Sequence, residues 1–317
     1  QQVIPASSPF QSTSTQMSSE QAGSCRHQIA IISGKGGTGK TTITACFSQL
    51  ADRHVLADTD VDAADLHLLL EPCRHGGGEF IGGNKARIHA DRCRACGRCV
   101  VACRFDAITD DGQTPTVDEH ACEGCGLCMR VCPHQAIICE PRVSGHWFVS
   151  DTDQGTLVHA ELGIGEENSG KLVHRVRQEA RLRAAVAAVG VLADGPPGTG
   201  CPVIASIGGC DLAVLITEPT VSGVHDLERV LALCGHFQVP AAVLLNKADL
   251  DREQAERVQT LARQFHARLI GAIPFDPAVH EALMAGRTVL DHGDGPAARA
   301  IRSAWDQVES LLDEGAP

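Results

Sequence analysis

The sequence predicts an α/β protein: a mostly parallel sheet covered by helices on both faces, with a smaller α+β module inserted into it. Three observations carry this reading. Short apolar runs alternate with helix-like stretches through most of the chain, the rhythm of parallel strands joined by helical crossovers. The first apolar run feeds a glycine-rich loop, Gly34–Thr41, that opens a helical stretch. From Asn84 to Pro141 the rhythm breaks, and eight of the fifteen cysteines crowd between Cys93 and Cys132.

Taken in order, residues 1–27 are rich in Gln, Ser and Thr and are expected to be a disordered tail, because they bury too little apolar surface to offset ordering entropy. Residues 28–83 form the first part of the large domain. Gln28–Ser33 reads as a buried strand, residues 40–52 as a helix, and His54–Ala57 as a second strand ending at Asp58. Residues 84–141 are the insert, and residues 142–317 complete the large domain. In that last part strands are expected at Gly190–Ala193, Leu212–Thr217, Ala241–Leu245 and Leu269–Ile273, with helices at Lys171–Ala188 and Asp226–Cys234. Near the end, Ile301, Trp305, Val308 and Leu312 share one helix face, with Asp306, Glu309, Asp313 and Glu314 opposite. An acidic polar face repels anionic lipid, so this helix is expected to pack on the sheet.

Composition narrows the class. The chain has 317 residues, 43% of them hydrophobic, yet no run approaches the ~18 apolar residues of a membrane-spanning helix. A net charge of −12 argues against a nucleic-acid partner and against an anionic membrane surface. The first residues lack the basic-then-apolar pattern of a secretory leader, so the cysteines are expected to sit in a reducing, cytoplasmic compartment as metal ligands rather than disulfides. The histidines have no metal-ligand spacing.

Gly34-Lys-Gly-Gly-Thr-Gly-Lys40-Thr41 fits the phosphate-loop pattern between a strand and a helix. Backbone N–H groups along Gly34, Lys35, Gly36, Gly37, Thr38, Gly39, Lys40, Thr41 and Thr42 are expected to wrap a nucleotide's phosphates at the positive end of the helix. Lys40 would hold the β- and γ-phosphates, and Thr41 would ligate Mg²⁺. Acidic residues at strand ends, Asp58-Thr-Asp60 and Asp194-Gly-Pro-Pro-Gly, are the further candidates. Asn246-Lys247-Ala-Asp249 matches the N-K-x-D pattern that reads guanine in GTPases.

The cysteine block contains Cys93-x₂-Cys96-x₂-Cys99-x₃-Cys103 and, repeated, Cys122-x₂-Cys125-x₂-Cys128-x₃-Cys132-Pro133. Gly97 matches Gly126, and Ala107-Ile108 matches Ala136-Ile137. Two runs of four suit iron–sulfur cubanes, whereas zinc sites group ligands as separate pairs. In this bacterial ferredoxin pattern the fourth cysteine serves the other cluster. One [4Fe–4S] cluster is therefore expected on Cys93, Cys96, Cys99 and Cys132, and the second on Cys122, Cys125, Cys128 and Cys103. Arg104 stands where the second run has Pro133, a cation beside the second cluster.

Together these motifs resemble the MinD-superfamily P-loop ATPases that carry an inserted two-cluster ferredoxin domain. Lys35, after the first glycine, resembles the second lysine of the deviant Walker A loop in the MinD, ParA and nitrogenase-iron-protein class. The resemblance implies that Lys35 reaches the phosphates of a partner subunit in a nucleotide-sandwich dimer, as an arginine finger does. It further implies that Asp60 positions the attacking water, that Asp58 lies on the Mg²⁺ side and that Asp194 is the Walker B carboxylate. Asn246 is expected at adenine, with the loop around Pro274 lining the base. Lys35 favours ATP, while Asp249 keeps GTP open. The stretch Val158–Lys171 also resembles the family, and its Asn168-Ser-Gly-Lys171 loop is placed at the dimer face. Cys201 occupies the offset at which relatives ligate a shared cluster, although a buried thiol is the default for it.

Three functions fit: ATP-driven electron transfer through two clusters, ATP-dependent assembly or delivery of iron–sulfur or related clusters, and a positioning switch with structural clusters. Each implies a homodimer or a dimer with a paralogue, and the first two require an unidentified redox or metallocluster partner. Eight ligands from one chain favour retained clusters, hence electron transfer.

Overall fold

The computed structural model describes residues 25–163 and 169–315. It runs β1 (Gln28–Ser33), α1 (Lys40–Leu50), β2 (His54–Asp58), α2 (His67–Leu70), β3 (Cys73–Ile88), α3 (Arg98–Ala102), β4 (Ile108–Thr109), β5 (Thr116–Val117), α4 (Leu127–Val131), β6 (Ile137–Thr152) and β7 (Gly155–Leu162). It continues α5 (Ser169–Ala187), β8 (Gly190–Pro197), α6 (Cys201–Ile207), β9 (Leu212–Thr217), α7 (Val221–His236), β10 (Ala241–Leu245), α8 (Arg252–Gln264), β11 (Arg268–Ala272), α9 (Pro277–Met284) and α10 (Pro296–Asp313).

Nine strands make one sheet in the order β11-β10-β9-β1-β8-β2-β7-β6-β3, parallel from β11 to β7. All six residues of β1 are buried because both faces of the sheet are covered, which is why the strand reads as a continuous apolar run. Ile29 and Ile31 join one core with Ile43 and Phe47 of α1 and with Ile301, Trp305 and Val308 of α10. The terminal helix therefore lies on the sheet, with the Trp305 ring 5.1 Å from Phe47. Ala30 and Ile32 point the opposite way, into a core closed by α6, α7 and α8. A third core lies between α5 and strands β2, β7 and β8.

The sequence missed the antiparallel edge. β3 and β6, each 16 residues long, pair from Cys73↔Asp151 to Ile88↔Ile137, and only the base of β6 pairs with β7. The borders expected at Asn84 and Pro141 fall inside this ladder, where those two residues are cross-strand partners. Glycine hid β3, since it lacks strand propensity and leaves no alternation to read. One of these glycines has a packing reason: a Cβ on Gly78 would lie 3.1 Å from the Trp147 indole nitrogen.

The outer half of the ladder carries the cysteine module, built as the sequence repeat implies. α3 starts after Gly97 (φ 70°) and α4 after Gly126 (φ 72°), a left-handed conformation that glycine adopts without strain. The expected tail lies outside the described residues up to position 24. Arg26 N donates to Val189 O at 3.1 Å, so the last residues of that segment belong to the folded body. Of the expected Asn168–Lys171 loop, Asn168 lies outside the described residues, and Ser169–Lys171 begin α5 instead.

Candidate functional site

Parallel strands deliver their C-terminal ends to one edge, and the loops after β1, β2, β8, β9 and β10 gather there. Lys40, the first residue of α1, is buried at the centre of this pole. Its ammonium lies 3.0 Å from Asp194 Oδ2 and 3.4 Å from Asp60 Oδ2. Burial alone would lower its pKa, but the Asp194 and Asp60 carboxylates outweigh that and raise it. Asp194 is fully buried; its two oxygens accept from Thr41 Oγ1 and Thr44 Oγ1, both at 2.7 Å.

Asp58 and Asp194 are register partners on β2 and β8. Asp58 is fully buried and accepts from the backbone N–H groups of Asp60 (3.2 Å) and Leu66 (3.1 Å), so it holds the loop after β2 in place. Burial, then the charge of Asp194, push its carboxyl well above the ordinary range. Burial also raises Asp60 to about 6, with Asp194 adding to the rise and Lys40 opposing it. An elevated carboxyl beside a lysine in a strand-end cleft is the kind of group that exchanges protons with water.

Lys35 folds onto its own chain, with Nζ 3.5 Å from Glu218 Oε2 and 3.2 Å from both Thr220 Oγ1 and Ser222 Oγ. Lys247 takes the other oxygen of Glu218 at 2.5 Å, so one nearly buried carboxylate ties two lysines together. Asn246 Nδ2 donates to Thr38 O at 2.8 Å, tethering the phosphate loop, and its Oδ1 accepts from Lys247 N. Asp249 Oδ1 accepts from Phe275 N at 2.6 Å, joining this loop to the one that contains Pro274. The cleft thus contains Lys40, Thr41, Asp58, Asp60 and Asp194 together, with Lys35, Asn246, Lys247 and Asp249 bracing its rim.

Sequence reading missed Thr44 and Glu218. Thr44 left a signal, a hydroxyl one helical turn beyond Lys40 on the buried face of α1. Glu218 is a third acid at the end of an apolar strand, as Asp58 and Asp194 are.

In the module, one cavity is lined by Cys93, Cys96, Cys99 and Cys132, and another by Cys103, Cys122, Cys125 and Cys128. The Ile88–Ile137 pair backs the first cavity, at the tip of the ladder; Ala86, two pairs nearer the sheet, backs the second. Backbone N–H groups face three of these sulfurs: Ala95 to Cys93 (3.4 Å), Ala86 to Cys122 (3.5 Å) and Ala136 to Cys132 (3.4 Å). Burial raises the Cys128 thiol to about 11, and Cys139, Cys122 and Cys125 add to it. Soft thiol donors, grouped in fours and met by N–H groups, fit an iron–sulfur cubane. Among the described residues, no three His, Cys, Asp or Glu side chains converge to hold a single metal ion. Cys201, at the start of α6, is exposed rather than buried.

A glycine-rich strand-to-helix loop, a buried lysine opening the helix and strand-end carboxylates define a P-loop nucleotide-binding protein. The chain belongs to the CobQ/CobB/MinD/ParA nucleotide binding domain family, matched over residues 29–289, whose MinD and ParA branches are generally ATPases. It is 33% identical over 289 residues to an uncharacterized protein of Methanocaldococcus jannaschii, covering 90% of this chain and 97% of that one. An iron-sulfur cluster carrier protein of Pyrococcus abyssi is 21% identical over 320 residues, covering 95% of this chain and 91% of its own. Among solved structures, the cell division ATPase MinD of Pyrococcus furiosus superposes with a TM-score of 0.54 at 20% identity, over 90% of this chain and 99% of that one. The septum site-determining protein MinD of Pyrococcus horikoshii, complexed with Mg-ADP, gives 0.52 at 18% identity, over 92% and 98%. These structural likenesses establish the shared sheet. No helix among the described residues is long and apolar enough to cross a membrane.

Proposed function

We propose that the chain is an ATP hydrolase that couples nucleotide binding and dimer closure to electron transfer through two [4Fe–4S] clusters held by its cysteine module. The observation that carries this reading is the pair of cavities, each bounded by a complete and separate set of four cysteines from one chain. Cys93, Cys96, Cys99 and Cys132 would hold one cluster, and Cys122, Cys125, Cys128 and Cys103 the other. When bound, each cluster supplies a one-electron reservoir.

At the other pole, the loop N–H groups and Lys40 bind the phosphates, and Thr41, Asp194 and Asp58 serve the Mg²⁺ side. Asp60, ionised above about pH 6, accepts a proton from the attacking water. Lys35 leaves Glu218 for phosphate at a dimer face. Asn246 and Pro274 flank the base, with ATP preferred over GTP.

A continuous backbone route supports the coupling. Leu162 N at the end of β7 donates to Val61 O, the residue after Asp60 (3.4 Å), and β7 pairs with β6, whose far end supports the cavities.

The Pyrococcus abyssi relative favours a second reading, delivery of clusters to acceptor proteins. The test is anaerobic ATP turnover of iron-loaded protein beside an apo-acceptor. The proposed function expects about eight irons retained per chain, two four-iron clusters, and a nucleotide-dependent rate of cluster oxidation. Transfer of iron to the acceptor supports the second reading, and protein that takes up no iron overturns both.

A further inference from the structure

The duplicated cysteine loops are alike in backbone and opposite in charge. Position by position, Arg94 and Arg98 of the first loop correspond to Glu123 and Leu127 of the second. Arg94 and Arg98 line the first cavity, whereas Glu123 and Leu127 line the second. The contrast extends along the chain. From Lys85 to Arg104 six basic side chains face a single acid, Asp91; from Asp106 to Glu140 seven acids face a single base, Arg130.

Several of those bases are already engaged. Lys85 donates to Cys122 O, Arg87 pairs with Glu140, and the Arg104 guanidinium lies over the Phe105 ring. Arg94 and Arg98 are exposed and make no ion pair among the described residues. Cys96, between them in sequence, is itself exposed. The first cavity is also the outer one, backed by the last residue pair of the ladder. The acidic second loop lies nearer the sheet, where Lys85 holds Cys122 O and Arg142 pairs with Glu119.

From this we infer that the tip of the module, around Arg94, Cys96 and Arg98, is the docking surface for an acidic one-electron carrier protein. The inference rests on the proposed function and adds the partner's chemistry and its point of entry. A chain of net charge −12 repels an acidic protein over most of its surface, so a basic tip both orients the partner and keeps it off the rest. Docking there brings the carrier to the exposed thiolate side of the outer cluster site. One electron leaves the carrier's reduced flavin or iron centre and enters the group held by Cys93, Cys96, Cys99 and Cys132; no bond forms or breaks.

The test uses iron-loaded full chain and an acidic FMN-containing flavodoxin as probe, with binding titrated at low and moderate salt. Expected is binding at low salt that weakens at least ~10-fold on raising salt through the Debye-screening range. Arg94→Glu/Arg98→Glu should weaken low-salt binding by a further ~10-fold or more, with iron content unchanged. Glu123→Lys should leave binding intact or tighten it. If the charge-reversed protein loses iron, Arg94→Gln/Arg98→Gln is the measured variant, with a smaller loss expected. Binding that ignores salt, or variants that bind as the parent does, overturns the inference while the iron content leaves the proposed function standing. Protein that holds no iron strikes the proposed function instead.

Discussion

The phosphate pole and the cysteine module solve the problem of holding a charged group in different ways. At the phosphate pole the protein is its own counter-charge: Lys40 sits among Asp60 and Asp194, while Thr41 and Thr44 fill the oxygens of Asp194. In the module the thiols meet little besides three long N–H···S contacts. Its core comprises seven buried residues, Ala86, Cys99, Ala107, Ile108, Cys122, Cys128 and Ile137, three of them cysteines. A core that small does not hold a fold by apolar burial alone; under the proposed function, bound clusters supply the missing folding free energy. The cleft is organised by its own side chains, and on that proposal the module depends on what its cysteines bind.

Removing iron should expose that contrast most strongly. With a chelator, tryptic cleavage in the Arg92–Arg104 stretch is expected to accelerate ~100-fold or more as the module opens, while far-UV dichroism of the large sheet persists. A module that stays protease-resistant without iron would erase the distinction.

Asp60→Asn follows, with hydrolysis down ~10²–10⁴-fold, the range of a general base. Nucleotide binding and iron content should be unchanged. Retained turnover removes Asp60 from the reaction.

Lys40→Ala strips the buried carboxylates of their counter-charge and is expected to cost ~3–5 kcal/mol of stability at neutral pH in urea denaturation. Thr44→Val leaves one Asp194 oxygen without its donor, and ~1–3 kcal/mol should be lost. Neither change should alter iron content; if either does, the two regions are not independent.

The smallest effect is in pH. Asp60 has its carboxyl raised from 3.8 to about 6, so the folded protein binds a proton there more tightly than the unfolded chain. Its contribution to stability is full below 3.8 and is lost as pH rises through about 6, whereas hydrolysis rises over the same interval. Asp60→Asn should flatten that part of the stability profile.

The same contrast governs what the sequence revealed. Strands β1, β9 and β10 were legible to the residue because burial on both faces leaves an unbroken apolar run. The phosphate loop was legible because phosphate binding constrains residue type and spacing at once, and the grouping of cysteines around the two cavities follows the crossed pattern expected for the repeated run, with its role as a ligand set left to the proposed function. The β3–β6 ladder was not legible, since Gly76–Gly83 carry almost no apolar alternation. Nor were the bracing roles of Glu218 and Asn246, because such contacts join side chains far apart in sequence and depend on the sheet order that brings them together.

Where the ladder crosses Asn84 and Pro141, the two chains lie opposite one another. Cross-strand partners in such a pair are ~5 Å apart, a gap that a two-residue hairpin turn spans. Excision of residues 85–140 at that seam is therefore expected to leave a shortened hairpin on an intact sheet, and another small domain whose ends lie close together is expected to fit the same socket.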